Sequence, residues 1–302
     1  MQIIQVGINT ADIAGSLRLY HEAFGFKNGG GQGLWGETLR VHGLEPDSRA
    51  LMWWMVGGQE FCQLEFFHHT KPAQRPLPSD WRPCDIGWVR IGLLVADFDR
   101  VKAVLPDHSI PLLGEAGAAG ARRMAFRDPF GGMIVEVRET PGLLGPHLLY
   151  AASSVSDLGS ALIYYRDVLQ LEINPLHALH GPGEEALWGL AGATCAGFVA
   201  SAGDRHIEVV AYDSPVGRPQ PEDFRISDQG IMNIALGTRS IDEAQVLLSR
   251  LEAAGHHPPR VMRLEGLLAG YIVDREREIE FAAIPREMDD AVGFLPKQAF
   301  FT

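Results

Sequence analysis

The chain has 302 residues, enough for about two domains and for well-filled hydrophobic cores. It carries 26 Lys plus Arg against 38 Asp plus Glu, a formal charge of −12, which disfavours phosphate backbones and anionic membranes as partners. With 46% hydrophobic residues and no apolar run near the roughly 20 a spanning helix requires, the expectation is a soluble protein without a nucleic-acid or membrane partner.

The opening residues, Met1 to Val6, lack the basic flank and apolar stretch of a signal peptide. Cys62, Cys84 and Cys195 are isolated and form neither a disulfide framework nor a zinc pattern, so a reducing cytosol is the expected compartment. Ile4, Val6 and Ile8 alternate as in a strand, and Asp12 stands at a helix N-cap position ahead of Leu17, Leu19, Tyr20 and Phe24. Gly29 to Gly33 is followed by no Lys-Ser or Lys-Thr and no helix, so a turn is expected there rather than a phosphate loop. The run Phe61 to Phe67 closes this first unit as a strand with Glu65 on the face opposite its apolar neighbours.

A Pro- and Arg-rich stretch from Lys71 to Cys84 leads to a second unit, opened by Val89 to Asp97 and closed by Met133 to Val137 around Glu136. The Pro and Gly cluster from Thr140 to Pro146 divides the chain. Beyond it the first unit's grammar returns: Asp157 answers Asp12, Leu162 answers Leu17 and Tyr165 answers Tyr20, and His206 to Val210 closes around Glu208. A fourth unit opens with Ile231 to Ser240 and closes on Glu280. A carboxylate set among Ile, Val and Phe in four equivalent strands is not ordinary surface alternation.

Four such units resemble the βαβββ modules of the vicinal oxygen chelate superfamily, which includes glyoxalase I, fosfomycin- and bleomycin-resistance proteins and extradiol dioxygenases. The most specific motif is Phe126-Arg127-Asp128-Pro129-Phe130-Gly131-Gly132 running into Glu136, which is similar to the family's turn before its metal-binding Glu. The resemblance covers about residues 2 to 285 and implies an α+β fold. Two glyoxalase-like domains are expected, each a pair of modules in a curved mixed sheet around a cavity. The N-terminal domain would span 1–140, with modules at about 1–70 and 85–140. The C-terminal domain would span 147–286, with modules at about 147–213 and 229–286. Residues 287–302 would form a tail whose Phe294, Phe300 and Phe301 dock on a neighbouring domain or subunit, with a homodimer as one expectation.

The resemblance also implies a divalent metal on the first and last strands of the modules, at Gln5, Glu65, Arg90 and Glu136 in the first half. Gln5 stands seven residues before Asp12, and Arg90 seven before Asp97. Guanidinium has no lone pair for a metal and repels a cation, so none is expected at the usual site. Gln5, Glu65, Arg90 and Glu136 become candidate substrate-binding residues, with Arg90 between Glu65 and Glu136, either clamping a substrate oxyanion or closing a structural salt bridge.

In the second half the corresponding positions are Tyr150, Glu208, Asn233 and Glu280, where the histidines of an extradiol dioxygenase are missing. His206, two residues before Glu208, is expected to join Tyr150, Glu208 and Glu280 around one pocket. That set reads as catalytic: Glu280 or Glu208 as base, His206 as shuttle, Tyr150 as acid or oxyanion donor, and Asn233 orienting the substrate. The alternative for His206 is an ordinary half-buried strand histidine. His68-His69 and His256-His257 are expected to be surface or loop residues, since adjacent strand residues point to opposite faces. For the same reason at most one of Trp53 and Trp54 faces the first cavity. Asp274 to Glu278, in place of the Asp-Pro-Phe-Gly turn, reads as a solvated turn.

The resulting expectation is an enzyme with a degenerate metal site doing lyase- or isomerase-type acid/base chemistry on a small apolar or aromatic oxygenated compound. One alternative keeps Fe, Mn, Zn or Ni in a glyoxalase-like or ring-cleaving dioxygenase with substituted ligands. Another is a bleomycin-resistance-like protein that sequesters a ligand without converting it.

Overall fold

In the computed structural model, residues 1–264, 266–274 and 276–299 are described. The first module contains β1 (Gln2–Asn9), α1 (Ile13–Leu19), β2 (Lys27–Trp35), a short α2 (Glu37–Arg40), β3 (Arg49–Val56) and β4 (Gln63–Lys71). The second contains β5 (Gly87–Val95), α3 (Phe98–Val104), β6 (Leu112–Ala116), β7 (Arg123–Arg127) and β8 (Ile134–Glu139). The third contains β9 (His147–Ser154), α4 (Leu158–Ile163), β10 (Glu172–Pro175), β11 (Thr194–Ala202) and β12 (Arg205–Ser214). The fourth contains β13 (Gly230–Thr238), α5 (Ile241–Ala253), β14 (Val261–Leu264), β15 (Leu267–Ile272) and β16 (Ile279–Ala283).

The helix that opens each module, α1, α3, α4 or α5, starts at a side-chain cap, the first of them at Asp12 as expected. Asp12, Asp97, Asp157 and Ser240 accept hydrogen bonds from the amides of Gly15, Arg100, Gly159 with Ser160, and Glu243, satisfying donors the first turn leaves free. The repeat reaches finer detail: α1 and α4 both pass into a π-turn, over Tyr20–Phe24 and Tyr164–Val168. No described helix is long and apolar enough to cross a membrane.

The strands form two eight-stranded mixed sheets, ordered β14-β15-β16-β13-β1-β4-β3-β2 and β10-β11-β12-β9-β5-β8-β7-β6. The fold class and the pairing of modules into curved sheets are as expected, but the partners are not. The first module joins the fourth through antiparallel β1 and β13, and the second joins the third through antiparallel β5 and β9. Each sheet thus takes one module from either side of residues 140–147. First strands pair across the junction because both carry the apolar alternation that buries one face. Ile3, Val6, Ile8, Ile91, Leu93, Ala151, Ile234 and Leu236 meet the helices in one shared core.

Two equivalent arms tie the sheets together. Arg75 donates to Asp223 and Asp228, and Arg218 donates reciprocally to Asp80 and Asp85. The stretch from Lys71 to Cys84, read as a separator, is therefore half of an exchanged clasp.

Three local expectations need correction. Gly29 to Gly33 lies within β2 instead of a turn, with Gly30 at φ +95° and Gly31 packed under Trp53, where a Cβ would overlap the ring. His69 is buried, not a surface residue, and both its ring nitrogens lack partners; its neighbour His68 faces the Thr10 carbonyl at 3.0 Å. The tail docks on its own first module, with Phe294 4.8 Å from Phe61 between ring centroids and the Lys297 amide donating to Asn28 O at 2.7 Å. Phe300 and Phe301, and Arg275 in the charged run, lie outside the described residues.

Candidate functional site

The module pairing redistributes the candidate residues. On the first sheet, β1 and β4 bring Gln5 and Glu65 against Asn233 and Glu280 from β13 and β16. On the second, β5 and β8 bring Arg90 and Glu136 against Tyr150 and Glu208 from β9 and β12. Arg90 therefore does not lie between Glu65 and Glu136, and Tyr150, Glu208, Asn233 and Glu280 do not share a pocket. His206 stays outside both networks: it is half-buried, and its Nδ1 lies 2.9 Å from Ser201 Oγ.

In the second cup the carboxylates are fully answered. Arg90, 1% exposed, pairs with Glu208, hydrogen-bonds Tyr150 Oη at 3.2 Å and lies 3.6 Å above the Trp188 ring. Glu136 accepts from Tyr150 at 2.6 Å, Trp188 at 3.1 Å, Arg123 at 2.9 Å and Arg138 at 2.7 Å. His180 bridges the two glutamates, Nε2 standing 3.0 Å from Glu136 and Nδ1 bonded to Glu208. Burial alone would raise both acids. It is outweighed at Glu136 by His180, Arg138 and Arg123, and at Glu208 by Arg90 and His180, so both are held below the usual carboxylate range. The guanidinium occupies the place where a cation would otherwise be needed. Beside it lies a cavity of about 550 Å³, lined in part by His177, His180, Glu185 and Cys195, where burial and the Glu185 hydrogen bond push the thiol up to about 12.

The first cup is the reverse. Gln5 Nε2 donates to Glu65 and, at 3.1 Å, to Glu280; Asn233 Nδ2 donates to Glu280 at 3.1 Å; Trp54 Nε1 donates to Glu65 at 2.9 Å. Gln63 fixes Gln5 by donating to its Oε1 at 2.7 Å. Among the described residues no cationic side chain pairs with either carboxylate. Burial and the Glu280 charge therefore push Glu65 well above its usual range, and burial takes Glu280 up to about 7 against the opposing hydrogen bonds of Tyr271 and Asn233.

This donor set fits a divalent cation. Two carboxylates lack a counter-charge and the Asn233 Oδ1 is buried without a partner, which gives three oxygen donors; the Gln5 Oε1 is taken by Gln63 and its amide N–H faces the carboxylates. All-oxygen sets suit harder cations such as Mn²⁺. No group of three or more His, Cys, Asp or Glu placed to hold a metal occurs among the described residues, so the third donor beside Glu65 and Glu280 would be the Asn233 amide.

His180, Trp188 and Gln63 were missed as site residues, while Trp54 is the member of the Trp53-Trp54 pair that reaches the first cup. Trp188 carried only the sequence signal of being a tryptophan. His180 sits in a loop between β10 and β11, where no strand register points to it. Gln63 alone had a positional signal, two residues before Glu65.

No family model matches the chain, and no curated protein matches its sequence. Solved structures do. A "putative dioxygenase" from Bacillus subtilis superposes with a TM-score of 0.63 at 12% identity, covering 99% of this chain and 91% of that one. Glyoxalase I from Zea mays gives 0.57 at 13% identity, covering 93% of this chain and 92% of its own. These likenesses show a glyoxalase-like fold over nearly the whole chain.

Proposed function

We propose that this chain is an enzyme that moves a proton on a small oxygenated compound, in a lyase- or isomerase-type reaction at Gln5, Glu65, Asn233 and Glu280, with a divalent cation among those side chains. The contrast between the cups carries the reading: two buried carboxylates face each other without a cation in one, while Arg90 neutralises the equivalent positions in the other. A bound divalent cation there supplies charge stabilisation for a substrate oxyanion.

Glu280 is the proton carrier. Burial raises its carboxyl above the usual range, which makes it the better proton acceptor of the pair at neutral pH, while Tyr271 and Asn233 hold it in place. Glu65 is oriented by the Trp54 indole, and Gln63 sets the Gln5 amide. The roles first read for Tyr150, His206 and Glu208 fall away, because the first and last belong to the saturated network and His206 to neither.

The test is Mn²⁺ titration of chelator-stripped protein, followed by NMR of α-proton exchange in D₂O across a panel of α-hydroxy and α-keto carbonyl compounds. Expected are one Mn²⁺ per chain, a rise in Tm, and exchange that Glu280→Gln removes. Full exchange in Glu280→Gln overturns the assignment. Binding of panel compounds without turnover would overturn the enzyme reading in favour of ligand sequestration.

A further inference from the structure

A second feature lies between the sheets. A cavity of about 250 Å³ is bounded by Ile231 and Met232 of β13, Trp88 of β5, Phe224 and Ile226 ahead of β13, and Val273, Asp274 and Glu278 between β15 and β16. Six of its ten lining residues are apolar, and the polar ones are Gln220, Asp228, Asp274 and Glu278, of which two present a free acceptor. Glu278, 7% exposed, has a buried Oε1 with no hydrogen-bond partner, and Gln220 presents a buried Oε1 that is likewise unpartnered. Both are acceptors. The other acids of the cavity are already satisfied: Asp228 is held by Arg75 and Arg225, and Asp274 accepts from the amides of Glu276 and Arg277 and from the Arg277 guanidinium.

We propose that this cavity binds a small organic ammonium, its nitrogen against Glu278 and Gln220 Oε1 and its apolar body against Trp88, Phe224 and Met232. The chemistry follows from what is missing. A buried acceptor without a donor is costly, and two acceptors at an apolar cavity ask for a ligand rich in N–H donors with an apolar remainder. An ammonium supplies three donors and a charge, and aromatic walls suit a cation. A hydrated metal ion fits poorly, because a single free carboxylate in an apolar wall leaves most of its coordination unmet. The inference goes beyond the Glu65–Glu280 reading and does not depend on it.

Calorimetric titration with benzylamine and cyclohexylamine, and with benzyl alcohol as a neutral isostere, tests it. At least one amine binds, benzyl alcohol binds about tenfold more weakly or worse, and Glu278→Gln abolishes the difference. Gln220→Leu, at a partly exposed loop position, weakens amine binding and leaves the alcohol unchanged, a control should Glu278→Gln fold poorly. Mn²⁺ binding at the first cup is the same in both variants. The proposal is overturned if neither amine binds at about 10 mM, if benzyl alcohol binds as well as benzylamine, or if Glu278→Gln keeps the amine preference.

Discussion

Gly7 and Asn233 stand opposite each other at the β1–β13 junction, and a Cβ on Gly7 would overlap Asn233 Oδ1. The second sheet repeats the arrangement with Gly92 and Tyr150, where a Cβ would enter the phenol ring. In both cups a glycine two residues beyond the key first-strand side chain lets the partner module's side chain lie across the junction. Neither glycine has a positive φ, so the requirement is space rather than backbone freedom.

Gly7→Ala should therefore displace the Asn233 amide while leaving the fold intact. The expected outcome is a loss of Mn²⁺ affinity and of proton exchange by about tenfold or more, because a catalytic group moved by about 1 Å costs on that scale. Titration and exchange rates on the variant, with far-UV circular dichroism as the fold control, check it.

Arg90 is the only described guanidinium bonded to Glu208, and both are buried. Arg90→Leu leaves that carboxylate with His180 alone and should destabilise the protein by about 3–5 kcal/mol. Arg90→Leu combined with Glu208→Leu should recover most of the loss, since removing both charges removes the uncompensated one. Urea unfolding of the two variants decides the matter.

Glu280 should leave a mark on the pH dependence of stability. Its folded pKa is raised, to about 7, so its stabilising contribution is full below the unfolded value near 4.5 and fades as pH rises through 7. Buried, neutral His42 and His69, lowered by burial to about 3 and about 4, work oppositely and cost stability as pH falls below about 6.5. The Glu280 effect is thus best read as a difference. The stability of Glu280→Gln relative to wild type should increase steadily between pH 4.5 and 7 and level off above, and saturating Mn²⁺ should reduce that gain by stabilising the wild type.

The tail is coupled to the first cup through one glycine. Gly293 has φ +77°, and a Cβ there would overlap Trp54, whose indole holds Glu65. Gly293→Ala combines a left-handed backbone with a collision and should cost about 1–3 kcal/mol. It should also shift the Trp54 fluorescence and lower Mn²⁺ affinity, whereas a substitution at exposed Leu295 should do neither.

The four modules were legible because Asp12, Asp97, Asp157 and Ser240 each precede a helix and follow an alternating strand, a purely local pattern. Glu65, Glu136, Glu208 and Glu280 were legible because strand periodicity fixes the face a side chain takes, whereas Gln5, Arg90, Tyr150 and Asn233 came from the family resemblance. Which positions meet was not, because pairing β1 with β13 or with β5 satisfies the same local alternation, and the choice is made by contacts between residues far apart in sequence, as between Gly7 and Asn233. The clasp of Arg75 with Asp228 and of Arg218 with Asp85 expresses that choice, yet in sequence it reads as a Pro-rich spacer. His180 escaped because a loop has no period, and Gly29 to Gly33 misled because composition favours a turn while Trp53 and the tail demand a flat, side-chain-free strand.

The junctions between β1 and β13 and between β5 and β9 mean that neither half of the polypeptide owns a finished sheet. Cut between residues 140 and 147, each fragment would carry two four-stranded halves with naked inner edges, each the complement of an edge on the other fragment. The short connection from Thr140 to Pro146 contributes no geometry to either cup. It contributes proximity, raising the local concentration of each edge around its mate to a level that separate fragments would reach only by mass action. The architecture is that of a dimer whose two partners have been made inseparable, with uncompensated carboxylates at one interface and an arginine among them at the other.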